Sequence, residues 1–301
     1  MKKLYLLFIN ILILLTACNN TNKNHKIIRS YYLDGTVSEE VECIIKKNNM
    51  ENVEIIARRN YYPNGNMEKE QKYSNNELLI CIWYSKKGIL EKTQEYFGKK
   101  GKDRIIICKW YYPNGKLQKE QGYIRDSLKH GTYRYFSTEG KLIDSAQFVF
   151  NKYRNVIMYR PDGTLERYKA YDYIENKKFT ISYDKIGWAM YNDGNPICSW
   201  ILAENYPLDK KLEIELLVAN PPRCKTELLI YDFDFKTKEK TNKRIYVPDK
   251  YNKITYNMVQ NSQKDVSILH VLNISDTVMP NEVSDTLLIT IFKDGKSTYK
   301  H

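Results

Sequence analysis

The chain has 301 residues, with 48 Lys and Arg against 36 Asp and Glu, a formal net charge of +12. A charge of this sign permits a polyanionic partner and bears on solubility rather than on fold. No block of five or more like charges occurs, which excludes the kind of basic tail that binds nucleic acid, and nucleic acid is not an expected partner.

At the N-terminus, Lys2-Lys3 precede an apolar run from Leu4 to Leu15, broken only by Asn10, and the segment closes on Leu15-Thr16-Ala17-Cys18. This is the pattern of an export signal over residues 1–17 with a small-residue cleavage site. An apolar run of about a dozen residues falls short of the roughly 20 that span a bilayer as a helix. Leu-Thr-Ala-Cys resembles the bacterial lipobox, which implies lipidation of Cys18, cleavage before it, and attachment to a membrane through the lipid. The Asn-rich residues that follow read as a flexible tether over 18–28. Removal of residues 1–17 takes away two lysines and leaves a formal charge of +10.

The middle of the chain is a repeat. Turn glycines at Gly35, Gly65, Gly88, Gly115, Gly140, Gly163 and Gly187 are each preceded at four residues by an aromatic: Tyr31, Tyr61, Tyr84, Tyr111, Phe136, Tyr159 or Tyr183. Two residues after each Gly stands an apolar residue, and eight after stand Cys43, Tyr73, Tyr96, Tyr123, Phe148 and Tyr171, with Asn195 breaking the last copy. In Tyr62-Pro63-Asn64-Gly65 and Tyr112-Pro113-Asn114-Gly115, Pro presets the second position of a type I turn and Gly takes the left-handed conformation that follows. The expected element is a hairpin with a G1 bulge. Ser85 to Gly88 and Ser137 to Gly140 read as turns one residue longer. Glycine spacings of 23 to 30 residues suit one hairpin plus a short return, and stacked hairpins then share a core that no single one could form. Positions two and eight after the Gly share a parity, which predicts one apolar, aromatic face and one polar face.

These residues resemble the MORN repeat in its bacterial, antitoxin-like variant, most closely over Lys109-Trp110-Tyr111-Tyr112-Pro113-Asn114-Gly115-Lys116-Leu117 and His130-Gly131-Thr132-Tyr133-Arg134-Tyr135-Phe136. The resemblance implies an array of β-hairpins over residues 29–196 that serves scaffolding, protein interaction or attachment to a membrane surface.

Two sets of side chains qualify as candidate binding residues. Tyr32, Tyr62 and Tyr112 follow the turn aromatics and are expected on the opposite face, where a row of exposed rings could stack on sugars or hold a peptide. Lys69, Lys92, Lys119 and Arg167 each stand four residues after a Gly, which predicts a basic ladder that faces solvent or an anionic surface. Once Cys18 carries lipid, five cysteines remain, an odd number for an oxidising compartment. Cys81 and Cys108 occupy equivalent positions in successive hairpins, about 9 to 10 Å apart, beyond the roughly 7 Å reach of a disulfide; they are expected to stay unbonded. Cys198 and Cys224 remain open as a bridge. The four histidines are isolated, no His or Cys pair stands at metal-ligand spacing, and no phosphate loop, nucleophile elbow or zinc-protease motif occurs. Neither a cofactor, a metal nor an enzymatic activity is expected.

From about residue 197 the turn signature stops. Leu212, Ile214, Leu216 and Val218 alternate with polar neighbours, and strand-like runs follow over 227–235, 266–274 and 286–292 with no helical period. The expected fold class is all-β: a hairpin array followed by a small β-sandwich of immunoglobulin-like type over 197–301. The function expected is that of a lipid-anchored lipoprotein of the cell envelope, in the outer membrane of a Gram-negative bacterium, serving as a non-catalytic interaction or scaffolding module for an envelope protein. Carbohydrate capture by the Tyr face and a passive spacer are the alternatives.

Overall fold

The computed structural model describes residues 25–45, 53–99, 101, 104–125, 127–201, 211–259, 265–278, 282–292 and 297–301. The export signal and Cys18 lie outside them. The described residues form strands joined by turns and loops, with no helix among them. The chain divides into two compact units: Met1–Leu128 with Thr138–Gly140, and Lys129–Ser137 with Lys141–His301.

In the first unit, eight antiparallel strands pair in chain order: β1 (His25–Tyr31), β2 (Val37–Ile45), β3 (Val53–Tyr61), β4 (Met67–Ser74), β5 (Glu77–Tyr84), β6 (Leu90–Phe97), β7 (Ile105–Tyr111) and β8 (Leu117–Ile124). β1 begins inside the segment expected as tether, because residues 25–28 pair with β2 and His25 reaches Glu42 at 2.9 Å.

The repeated turns are built alike. Gly65 N–H donates to the Tyr62 carbonyl and Tyr62 N–H to that of Asn66. Gly65 lies at φ 79°, and the register shifts beside Tyr61, as a G1 bulge requires. Ser85–Gly88 closes with the same two bonds, so the extra residue expected there is absent; the hairpin takes Ser-Lys-Lys-Gly in the frame of Tyr-Pro-Asn-Gly. What changes is which side chain satisfies the loop. Asp34 and Asn64 accept the N–H two residues on, whereas Ser85 accepts those of Lys87 and Ile89. The return from β4 to β5 is a two-residue turn with Asn75 and Asn76 at φ 50° and 62°.

The first unit's faces differ from the expected apolar and polar pair. One face carries, along each outgoing strand, Met67 or Leu90 or Leu117, then Lys69, Lys92 or Lys119, then Gln71, Gln94 or Gln121, and opposes Cys81 and Cys108 to the glutamines. The other carries Arg29, Glu40, Arg59 and Glu70, joined in an ion-pair chain across four strands at 2.8, 3.5 and 3.1 Å. With every strand in one sheet, neither face has to be uniformly apolar.

In the second unit, β9 (Leu128–Phe136), β10 (Leu142–Val149), β11 (Lys152–Tyr159), β12 (Leu165–Tyr171), β13 (Lys177–Tyr183) and β14 (Ala189–Gly194) follow the same antiparallel chain order. The β12–β13 connection is a further turn of the repeated kind that carries Glu175 at φ 69° in place of Gly, with Asp172 accepting from Ile174 and Asn176. Two more sheets follow. β15 (Ile197–Ile201), β16 (Lys211–Val218) and β19 (Lys253–Val259) form one in the order β15-β16-β19; β17 (Cys224–Phe233), β18 (Lys240–Tyr246), β20 (Val266–Asp276), β21 (Glu282–Ile291) and β22 (Ser297–Lys300) form the other in the order β18-β17-β20-β21-β22. Alternate residues of their strands, including Ile214, Leu216, Leu228, Ile230, Ile254, Leu272 and Ile289, enter one buried cluster with Tyr168, Phe179 and Ile181 of β12 and β13.

Candidate functional site

In the first unit, strand register brings the expected lysines into a line and places tryptophan between them. Lys69 pairs with Trp83, Trp83 with Lys92, Lys92 with Trp110, and Trp110 with Lys119, one residue from each of β4 to β8. The ammonium of Lys69 stands 5.5 Å from the Trp83 ring centre and that of Lys92 4.8 Å, while Lys92 and Lys119 stand 5.3 and 3.9 Å from Trp110. Like charges directly opposite one another would repel; an indole in each gap replaces that repulsion with attraction to the ring face. All five side chains are half-buried. Sequence reasoning named the lysines and missed the tryptophans. The signal was present, since Trp83 and Trp110 each precede the turn aromatic by one residue, and the bulge sets that position opposite the lysine four after the Gly. Arg167 stands elsewhere, in β12 of the second unit between Met158 and Ser182.

The neighbouring thiols register the charge of this face. Cys81 is buried and its thiol is pushed up to about 11, against an opposing pull from Lys69 and Lys92; burial also raises Cys108, opposed by Lys92 and Lys119. Cys43, Cys81, Cys108, Cys198 and Cys224 are all free thiols. Cys81 and Cys108 are separated by Gln94 of the intervening strand.

Tyr32, Tyr62 and Tyr112 are half-buried at the mouths of their turns. The hydroxyls of Tyr32 and Tyr62 donate to the carbonyls of Tyr61 and Tyr84, each the turn aromatic of the next hairpin, at 2.5 and 2.9 Å. Asn64 and Asn66 add bonds to the Lys86 carbonyl at 2.8 Å, and Asn114 reaches that of Thr138. These turn residues clasp one hairpin to the next.

In the second unit, a cavity of about 1090 Å³ is lined by Phe233, Met258, Val266 and Ile268 with Asp232 and Arg244. Two of its polar groups are paired: Arg244 donates to Asp232 at 2.5 Å, and Asn242 donates to the same carboxylate. His270 is fully buried; its Nε2 accepts from the Tyr256 hydroxyl at 2.5 Å and its Nδ1–H donates to the Leu287 carbonyl at 2.9 Å. Burial drives its pKa down to about 4, so it stays a neutral hydrogen-bonded core residue. Among the described residues no cluster of three or more His, Cys, Asp or Glu side chains could hold a metal.

Comparison with known families places the repeat. Two segments match the MORN repeat variant. They are residues 57–75 and 106–124, which in the structure are the turn-centred hairpins β3–β4 and β7–β8. The matched MORN-variant hairpins carry Lys69, Trp110 and Lys119 of the row, and the hairpin between them supplies Trp83 and Lys92. No curated protein matches the chain. Among solved structures, one described as the crystal structure of TcdB2-TccC3-Cdc42 aligns over 91% of this chain at 7% identity with a TM-score of 0.13, and the chain spans 16% of that one's length. So slight a likeness says nothing of this fold.

Proposed function

We propose that this chain is a non-catalytic lipoprotein of the cell envelope, anchored through lipidated Cys18, whose hairpin sheet is an interaction or scaffolding surface for another envelope component. The observation that carries the reading is the Lys69–Trp83–Lys92–Trp110–Lys119 row, a basic and aromatic strip on a sheet whose Glu70 and Glu95 carboxylates are held by Arg59 and Lys109 on the other face. The lipobox-like Leu15-Thr16-Ala17-Cys18 supports the anchor and outer-membrane residence in a Gram-negative bacterium. Two antiparallel sheets of three and five strands around one apolar cluster support the immunoglobulin-like reading of the C-terminal residues. Engagement of the Tyr32 and Tyr62 hydroxyls between hairpins moves any ligand contact away from the tyrosines and toward the row.

The test is chemical crosslinking in the native host followed by mass spectrometry, with Cys18→Ser as control. A stoichiometric envelope component recovered with the native chain and lost with Cys18→Ser is the expected result. Sedimentation of Cys18→Ser with membranes at high salt would overturn the lipid anchor.

A further inference from the structure

The row has a geometry that narrows its ligand. Its five side chains come from five adjacent strands at one register level, so the row runs across the strands and not along any one of them. Adjacent strands are about 4.8 Å apart, which sets successive ammonium groups about 9.6 Å from one another with one indole midway. That alternation of cation and aromatic at fixed intervals matches a linear polymer whose negative charge recurs once per two units and whose units are flat-faced, apolar on their C–H faces and about one strand spacing long. A pyranose chain with an acidic sugar at every second position has this chemistry.

We propose that Lys69, Lys92 and Lys119, with Trp83 and Trp110 between them, form a binding site for an acidic linear polysaccharide that lies across strands β4 to β8. Each carboxylate of the glycan meets one ammonium, and the intervening sugar packs its C–H face against the indole edge that stands between two ammonium groups. This goes beyond the proposed envelope module, since it assigns a ligand class to the row whether or not a protein partner also docks. Three observations favour a glycan over a bilayer. The tryptophans are half-buried and flanked by ammonium groups, whereas insertion into lipid needs aromatic side chains that project into the apolar layer. The three lysines stand in single file at one register level, and Arg58 on that face, opposite Gln71, is engaged by Glu39. The Gln71 and Gln94 level beside them offers half-buried amide groups suited to sugar hydroxyls and of no use to acyl chains, while the buried Gln121 amide donates to the Gly122 carbonyl.

The test is binding of the full chain, held in detergent, to oligomers of a glycan in which a uronate alternates with a neutral sugar, such as hyaluronan, measured by calorimetry and by quenching of indole fluorescence. A neutral β-linked glucan oligomer and phosphatidylglycerol vesicles are the comparison ligands. The alternating glycan binds with an affinity that falls as salt rises, the neutral oligomer does not bind, and affinity climbs with length until three acidic sugars are present. Because an exposed charge pair contributes modestly, changing all three lysines to Gln weakens binding by about tenfold or more. Changing all three to Arg keeps both the charge and the ring contact, and it retains binding. Lys72→Gln, on the opposite face beside Glu70, leaves binding unchanged. Equal binding by the triple Gln chain, or equal binding of the neutral oligomer, would overturn the proposal. Row-dependent capture of the vesicles without the alternating glycan would overturn it in favour of a lipid surface. None of these failures touches the Cys18 anchor or the crosslinked partner, which stand on separate readouts.

Discussion

At the scale of single residues, many polar side chains of this protein hold the fold, and these yield measurable effects. His270 has the clearest pH signature. Its folded pKa of about 4 lies below the ordinary unfolded value of about 6.5, so protonation favours unfolding. The stabilisation it brings is complete above pH 6.5 and lost progressively as pH falls toward 4, a swing of about 3 kcal/mol. Arg244, two strands away in the same sheet, adds to the depression, and the hydrogen bond to Leu287 opposes it. Denaturant melts of the native chain and His270→Gln between pH 7 and 4 should converge as pH falls; parallel curves would show that His270 does not titrate on unfolding. Tyr62→Phe should cost about 1 kcal/mol, the worth of one interstrand hydroxyl bond. The same change at Tyr191, an exposed residue, should be silent in the same melts.

At the scale of elements, turn chemistry is local and the sequence therefore discloses it, while cross-strand chemistry is not. The hairpins around Gly65 and Gly115 follow from Pro-Asn-Gly alone. The Asp172–Glu175 turn escaped notice because Glu175 takes the left-handed conformation without a Gly to mark it. The Lys–Trp row demanded the register of strands separated by the turn and its bulge, and that register is set by hydrogen bonds rather than by any adjacent pair of letters. Strand existence in the C-terminal residues was legible from the alternation of Leu212, Ile214 and Leu216; β15, β18 and β22, short or of mixed pattern, were not singled out, and neither was β19, although Ile254, Tyr256 and Met258 alternate there with polar residues. Turn glycines also differ in what they require. Gly115 lies at φ 80° with nothing within 4 Å of a would-be Cβ, so Gly115→Ala meets only the left-handed backbone cost, roughly 1 kcal/mol. Gly194 lies at φ 85° with the Lys178 carbonyl oxygen 1.9 Å from the same point, and Gly194→Ala must also push two strands apart. Thermal melts should rank Gly194→Ala well below Gly115→Ala; equal losses would mean that β13 and β14 separate freely at that end.

At the scale of the whole molecule, the two compact units are stabilised by different means, and the difference can be tested. Within the first unit, the ion-pair chain Arg29–Glu40–Arg59–Glu70 and the turn clasps tie neighbouring hairpins. Within the second, β12 and β13 bury Tyr168, Phe179 and Ile181 at no more than 3% exposure against the C-terminal sheets. The Tyr168 hydroxyl accepts the Asn220 N–H at 2.8 Å and the Asn252 amide at 3.4 Å, Arg223 donates to the Gly187 carbonyl, and Tyr173 donates to Glu215. A chain that stops at Gly194 removes every one of those partners and leaves a row of large apolar side chains on β12 and β13 in water, where nothing offsets the ordering of the strands. Hydrogen exchange should then show the β12 and β13 amides losing protection by orders of magnitude while those of β3 to β8, whose ties are to their own neighbours, keep it. Tyr168→Phe in the full chain isolates the polar part of the effect: it strands the Asn220 N–H and should cost about 1 to 3 kcal/mol. Full protection of β12 and β13 in the shortened chain would mean that cross-strand pairing alone sustains these hairpins, and that the apolar cluster stabilises only the C-terminal sheets.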